Sequence, residues 1–129
     1  MKVKFLISLS VLLGVFAIRA PMLAHHGSAP SYDSTKTVTM TGAVTEWVWS
    51  NPHCQLYFDV KDEKGNIVHW AAETNSPGAL ARAGWSRKIF NAGDTITITV
   101  YPSKVGAPVG LISKIVLSDG QVLTRRDAN

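Results

Sequence analysis

The chain has 129 residues, with 13 lysines and arginines against 9 aspartates and glutamates, and it contains one cysteine. This length corresponds to one domain of ordinary size, and a lone cysteine excludes an internal disulfide, so a hydrophobic core must hold the fold. The small basic excess does not provide the basic surface that nucleic-acid binding requires.

The N-terminus has the pattern of a secretory signal peptide. Two lysines precede an apolar run over residues 5–18, which is shorter than the ~20 residues of a membrane-spanning helix, and small residues follow up to Ala24. We predict a signal peptide over residues 1–24, a mature chain that begins at His25, and a periplasmic location. An uncleaved segment that tethers the domain to the membrane is the alternative.

Cleavage at this position would change the charge of the domain. The first 24 residues contain three basic residues and no acidic one, so the mature chain keeps ten basic residues against nine acidic ones. A domain with a formal charge of +1 is close to neutral. We therefore expect no nucleic-acid partner and no stable membrane insertion after cleavage.

The first part of the mature chain is polar and turn-rich, and we predict a flexible lead-in over residues 25–36. From Thr37 the sequence TVTMTGAVTEWVW (37–49) alternates as a strand does. Gly42 inside this run indicates a bulge or a sharp bend.

A hairpin follows the first strand. Residues 54–60 (CQLYFDV) alternate, KDEKGN forms the loop, and residues 67–74 form the returning strand. Cys54 shares the apolar face of its strand, so we predict an inert core thiol.

The stretch SPGALARAGW (76–85) is the best helix candidate. Ser76 suits the N-cap, Pro77 the first helical position, and Gly84 the left-handed residue that ends a helix. Two further strands are predicted over residues 95–101 and 109–117, and a turn then leads to a short strand, QVL.

This order of elements predicts an all-β domain with one short helix, a five-stranded Greek-key OB-like barrel over residues 37–124, with a tail at 125–129. The long first strand and the helix between the third and fourth strands carry this prediction. A β-sandwich is the alternative, although about seven strands would be expected of it.

Two adjacent histidines, His25 and His26, would open the mature chain. A terminal amine and the ring of its own residue can chelate one ion, and nitrogen-rich tetragonal sites suit Cu(II). We consider a copper site formed by His25, His26 and His53, which requires the lead-in to fold back over the barrel. The alternative is that these histidines merely follow a cleavage site.

The second concentration of candidate residues is WVWSNPH (47–53), at the loop between the first two strands. In OB-like barrels this loop frames the ligand face. We predict that Trp47, Trp49, Asn51 and His53 bind a ligand, with both tryptophans opposite Val44 and Val48 in a regular strand. The alternative is that the tryptophans cover an open end of the barrel.

The features AHHGS, WVWSNPH, SPGALARAGW and LSDGQVL together span most of residues 24–123. In these four features the sequence resembles an uncharacterised family of small exported bacterial proteins, which is classified as a domain of unknown function. The resemblance implies a periplasmic single-domain β protein and no established activity. Members carry an aromatic residue after the His-His pair, a position that Tyr32 takes here with different spacing.

No catalytic constellation is recognisable, because the sequence has neither a nucleophile elbow nor a phosphate-binding glycine loop. We therefore favour a small non-catalytic periplasmic binding protein of unknown ligand. The alternatives are a Cu(II)-binding protein and a module that binds another exported protein.

Overall fold

The computed structural model describes residues 31–125. The predicted signal peptide, His25, His26 and residues 126–129 of the tail lie outside the described residues. The elements in chain order are β1 (Val38–Val48), β2 (Gln55–Lys61), β3 (Ile67–Glu73), α1 (Pro77–Arg82), β4 (Thr95–Pro102), β5 (Val109–Leu117) and β6 (Val122–Thr124).

Five of the strands close into a barrel. β1 pairs antiparallel with β2 and β4, and the β2–β3 and β4–β5 pairs are also antiparallel. A short parallel pairing of β3 with β5, Ala71–Glu73 against Val109–Leu111, closes the ring. β6 extends the sheet beyond β5. The predicted OB-like barrel is thus confirmed.

Side chains alternate in direction along the strands, and those that point inward form the core. In β2, Leu56 and Phe58 are fully buried, and in β4, Ile96, Ile98 and Val100 are at most 1% exposed. Their neighbours in sequence point outward and are partly or fully exposed. Cys54 is also fully buried, which confirms its prediction as a core thiol.

The helix begins where its sequence predicts. The Ser76 hydroxyl accepts a hydrogen bond from the Ala79 backbone N–H at 3.4 Å, and Pro77 is the first helical residue. Gly84 has a φ of +84°, as the end of the helix requires. Leu80 is the fully buried residue of α1 and packs in the barrel core. In the described range no helix is long and apolar enough to span a membrane.

A β-bulge interrupts β1, and it lies three residues after the glycine that suggested it. Val44 pairs with Phe58 and Glu46 with Tyr57, so Thr45 is the extra residue. A bulge reverses which face the following side chains occupy. Trp47 therefore pairs with buried Leu56 and faces the same side as Val44, so the placement expected for a strand without a bulge does not hold for Trp47.

Gly42 has a different role from the one predicted. It pairs regularly with Ile96 of β4. A Cβ at this position would come within 2.7 Å of the Asp59 carbonyl oxygen and 3.0 Å of Phe58 Cδ2. Only glycine lets β2 approach β1 this closely.

Substitution Gly42→Ala should lower the free energy of unfolding by about 2 kcal/mol, in the range of overpacked cores, because the clashing atom is backbone in a paired strand. Chemical denaturation would measure the loss. Gly78→Ala is the matched control, since its Cβ would meet only Arg82 Nη1 at 3.8 Å. It should be neutral or slightly stabilising. Equal effects of the two substitutions would contradict the close-approach explanation.

Candidate functional site

A small pocket lies between the β1–β2 loop and the end of β3. Its volume is about 210 Å³. This is below the ~300 Å³ at which pockets for drug-sized ligands begin, so the site suits an ion or a small molecule. Its lining residues are Val48, Ser50, Asn51, Pro52, His53, Gln55 and Glu73.

The β2–β3 register brings Glu73 into this pocket. Glu73 is the last residue of β3 and pairs with Gln55, the first residue of β2. Both side chains point away from the core on the outer face of the barrel. His53 precedes buried Cys54 and therefore also points outward, as predicted from the alternation of side chains.

Glu73 holds the His53 ring. His53 Nδ1 lies 2.7 Å from Glu73 Oε1. The Glu73 side chain is 17% exposed and that of His53 is 40% exposed. One ring nitrogen of His53 thus lies against the carboxylate, while part of the ring is open to solvent.

The described part of the predicted lead-in also reaches this carboxylate. The Asp33 N–H donates to the Pro102 carbonyl at 2.9 Å, and the Lys104 N–H donates to Ser31 at 3.2 Å. The Tyr32 hydroxyl donates to Glu73 Oε2 at 3.0 Å. Backbone hydrogen bonds thus join Ser31 and Asp33, in the described part of the predicted lead-in, to the end of β4 and the following loop.

The Tyr32 environment favours the neutral phenol. Burial, followed by the charge of Glu73 and the hydrogen bond to it, raises the pKa of Tyr32 to about 12. Ionised Tyr32 would place two negative charges together and would lose its role as a donor.

The described residues do not form a complete metal site. Within 31–125, no group of three His, Cys, Asp or Glu side chains converges. Of the three predicted metal ligands, His53 lies in the pocket beside Glu73, and His25 and His26 lie outside the described range. Cys54 is unsuitable as a third donor, because it is fully buried and burial raises the pKa of its thiol.

The structure separates the predicted ligand-binding residues into two groups. Asn51 and His53 line the pocket. Trp47 instead packs against Phe90 and Trp85, with ring centroids 5.1 Å and 6.1 Å away, and its Nε1 donates to the Ser86 carbonyl at 3.1 Å.

Trp49 lies beside this cluster. Its ring meets that of Trp47 at 61° with a centroid distance of 5.8 Å. Both tryptophans are partly buried and pack against the core. Neither tryptophan is among the residues that line the pocket.

A second histidine–carboxylate pair lies on the same outer face. His69 Nδ1 is 2.6 Å from Asp59 Oδ1, and these two residues are direct cross-strand partners. The His69 side chain is 83% exposed. Asp59 and His69 do not line the pocket, and their contact is that of a cross-strand pair that stabilises the sheet.

Comparison with known proteins agrees with the predicted resemblance. The model of a family of unknown function, DUF6152, matches residues 13–113. The chain belongs to this family. No curated protein and no solved structure matches the chain.

For this DUF6152 protein, the sequence did not single out Glu73, Gln55 or the contact of Tyr32. For two of them, Gln55 and Glu73, the predicted hairpin indicates that they pair. A loop over residues 62–66 pairs Lys61 with Ile67, and the same register places Gln55 opposite Glu73. Tyr32 is linked to Glu73 only through the closed barrel, so no local pattern indicates it.

Tyr32 should titrate near pH 12 in the folded protein, above the ordinary value of 10. A raised pKa means that the stability from this contact is complete below pH 10 and is lost as the pH rises through about 12. Absorbance at alkaline pH follows tyrosine ionisation, and Tyr32→Phe should remove the component with the midpoint near 12. A Tyr32 midpoint near 10 in the folded protein would contradict the contact with Glu73.

Proposed function

We propose that this protein is a small, non-catalytic periplasmic binding protein whose ligand site is the pocket at the Trp-Val-Trp-Ser-Asn-Pro-His loop. The signal-peptide pattern of residues 1–24 supports export. The observation that carries the proposal is the pocket itself, in which Asn51 and His53 meet Gln55 and Glu73. Hydrogen-bonding groups that converge on a concavity are typical of a ligand site.

The charge of the lining indicates the class of ligand. Glu73 carries a formal negative charge, and neither lysine nor arginine is among the lining residues in the described range. At ~4 Å and an effective dielectric constant of about 20, two unit charges interact by about 4 kcal/mol. This electrostatic energy disfavours binding of an anion and favours binding of a small cation or a neutral hydrogen-bond donor.

Nuclear magnetic resonance can locate such binding. Methylammonium and ethylammonium should shift the backbone amide signals of Ser50, Asn51, His53 and Glu73, whereas acetate should not. Glu73→Gln should weaken the shifts because it removes the negative charge. Asp59→Asn is the matched control, since it removes a carboxylate outside the pocket. Equal shifts with acetate, or shifts spread over the whole barrel, would contradict the proposal.

A second candidate function is Cu(II) binding by His25, His26 and His53. The observation that favours it is the course of residues 31–36, which run back to the barrel and place the Tyr32 hydroxyl on the carboxylate that holds His53. Tyr32 lies six positions after His26, with five residues between them. An extended chain of that length spans up to about 20 Å, so the histidines are within reach of the pocket.

Copper titration of the exported protein tests this candidate. Mass spectrometry first verifies that the chain starts at His25. His26→Ala and His53→Ala should each lower the Cu(II) affinity about tenfold or more, the effect of losing about 1.4 kcal/mol of binding free energy. His69→Ala is the matched control and should bind as the wild type does.

A form extended by an N-terminal methionine should also bind more weakly, because the terminal amine no longer belongs to His25. Equal affinity of the native and extended forms would exclude that amine as a ligand. Loss of affinity in His69→Ala equal to that in His53→Ala would contradict the assignment of His53.

A further inference from the structure

Gln55 lines the pocket, and a residue outside the pocket holds its side-chain amide. The Tyr57 hydroxyl donates a hydrogen bond to Gln55 Oε1 at 2.6 Å. This length is typical of an O–H···O bond and is shorter than the ~2.7 Å at which N–H···O bonds begin, so the amide oxygen is the atom that faces Tyr57. Tyr57 is not among the lining residues. The orientation of Gln55 is therefore set from outside the pocket.

This orientation determines which group Gln55 offers to a ligand. Its oxygen is turned toward Tyr57, which lies two residues farther along β2 from the β1–β2 loop, so the nitrogen is on the opposite arm of the planar amide, toward the loop. Gln55 Nε2 makes no hydrogen bond to any residue between Ser31 and Arg125. A side-chain amide nitrogen carries two N–H donors. Gln55 thus offers hydrogen-bond donors to the pocket.

Glu73 offers the complementary group. It pairs with Gln55 across β2 and β3, and such cross-strand neighbours have Cβ atoms about 5 Å apart. Its oxygens contact Tyr32 and His53, but a carboxylate has about four acceptor positions, so it can accept further hydrogen bonds. A hydrogen-bond donor and an acceptor therefore lie side by side in the pocket.

We propose that this pocket recognises a primary carboxamide group, and that Tyr57 is the positioning residue that sets this selectivity. The amide N–H of the ligand donates to Glu73, and its carbonyl oxygen accepts from Gln55 Nε2. An ammonium ligand would use Glu73 alone, a ketone would use Gln55 alone, and a carboxylate would be repelled by Glu73. This inference rests on the ligand site proposed above and names the chemical class that uses both groups.

Nuclear magnetic resonance titration with three small ligands tests the pairing. Acetamide has the donor and the acceptor, acetone has nearly the same shape with the acceptor alone, and methylammonium has the donor alone. Acetamide should shift the Gln55 side-chain and Glu73 backbone signals with an affinity about two- to tenfold higher than that of acetone, the effect of one neutral hydrogen bond. Equal affinities of acetamide and acetone would overturn the proposal.

Variants test the role of Tyr57. Tyr57→Phe removes the hydrogen bond that orients the Gln55 amide, so the ratio of acetamide affinity to methylammonium affinity should fall about two- to tenfold. Gln55→Glu replaces the donor with an acceptor and adds a negative charge, so it should weaken acetamide binding and strengthen methylammonium binding. Gln121→Glu, directly before β6, is the matched control for the added charge and should change neither affinity.

Two results with these variants would contradict the assignment. Equal losses of acetamide and methylammonium affinity in Tyr57→Phe would show general damage to the pocket and would overturn the positioning role. Undiminished acetamide affinity in Gln55→Glu would overturn the role of the Gln55 donor. Amide spectra of each variant would verify folding.

The same chemical group occurs on free amides and on the side chain of asparagine in peptides. N-acetylasparagine N-methylamide carries it on a peptide backbone. Tighter binding of this compound than of acetamide would assign the pocket to peptide side chains, and weaker binding would assign it to free amides. Either result supports recognition of a carboxamide.

The outcomes separate this inference from the function on which it rests. Methylammonium that binds at the pocket while acetamide does not would leave the proposed binding function in place and overturn carboxamide recognition. Failure of both ligands to shift the pocket signals would overturn the binding function together with this inference.

Discussion

β1 is the strand on which the rest of the barrel depends, because it must pair with β4 along its first half and with β2 along its second. The two pairings overlap only at Ala43, which is opposite both Thr95 and Asp59. Gly42 makes this possible by removing the side chain that would strike the β2 backbone. The bulge at Thr45 then turns the remaining residues so that Trp47 faces inward and Val48 faces the pocket.

Closure of the barrel also creates the site. β3 contributes Glu73 at the point where its parallel pairing with β5 ends, and β2 begins beside it with Gln55. Near this loop in sequence, Trp47 packs against Trp85 and Phe90, which belong to the buried core.

The sequence predicted the fold well because the elements carry strong local signals. Alternation marks β2, β4 and β5, and Ser76 with Pro77 marks the start of α1. The site was predicted only in part. His53 and Asn51 were recognisable from their loop, but the glycine that suggested a bulge lies three residues before Thr45, so the reorientation of Trp47 could not be placed from the sequence. The contact of Tyr32 with Glu73 joins positions 41 residues apart, and only the closed barrel brings them together.

The shared carboxylate of Glu73 has a consequence for how this family can change. Its two oxygens contact two side chains from distant parts of the chain, Tyr32 and His53. Replacement of Glu73 alone would leave both side chains without their partner, whereas replacement of either one would leave one oxygen to water. Positions 32, 53 and 73 therefore constrain one another, and we expect them to vary as a set among relatives. Such joint variation would distinguish this triad from the isolated His69–Asp59 pair, in which each residue depends on only one other.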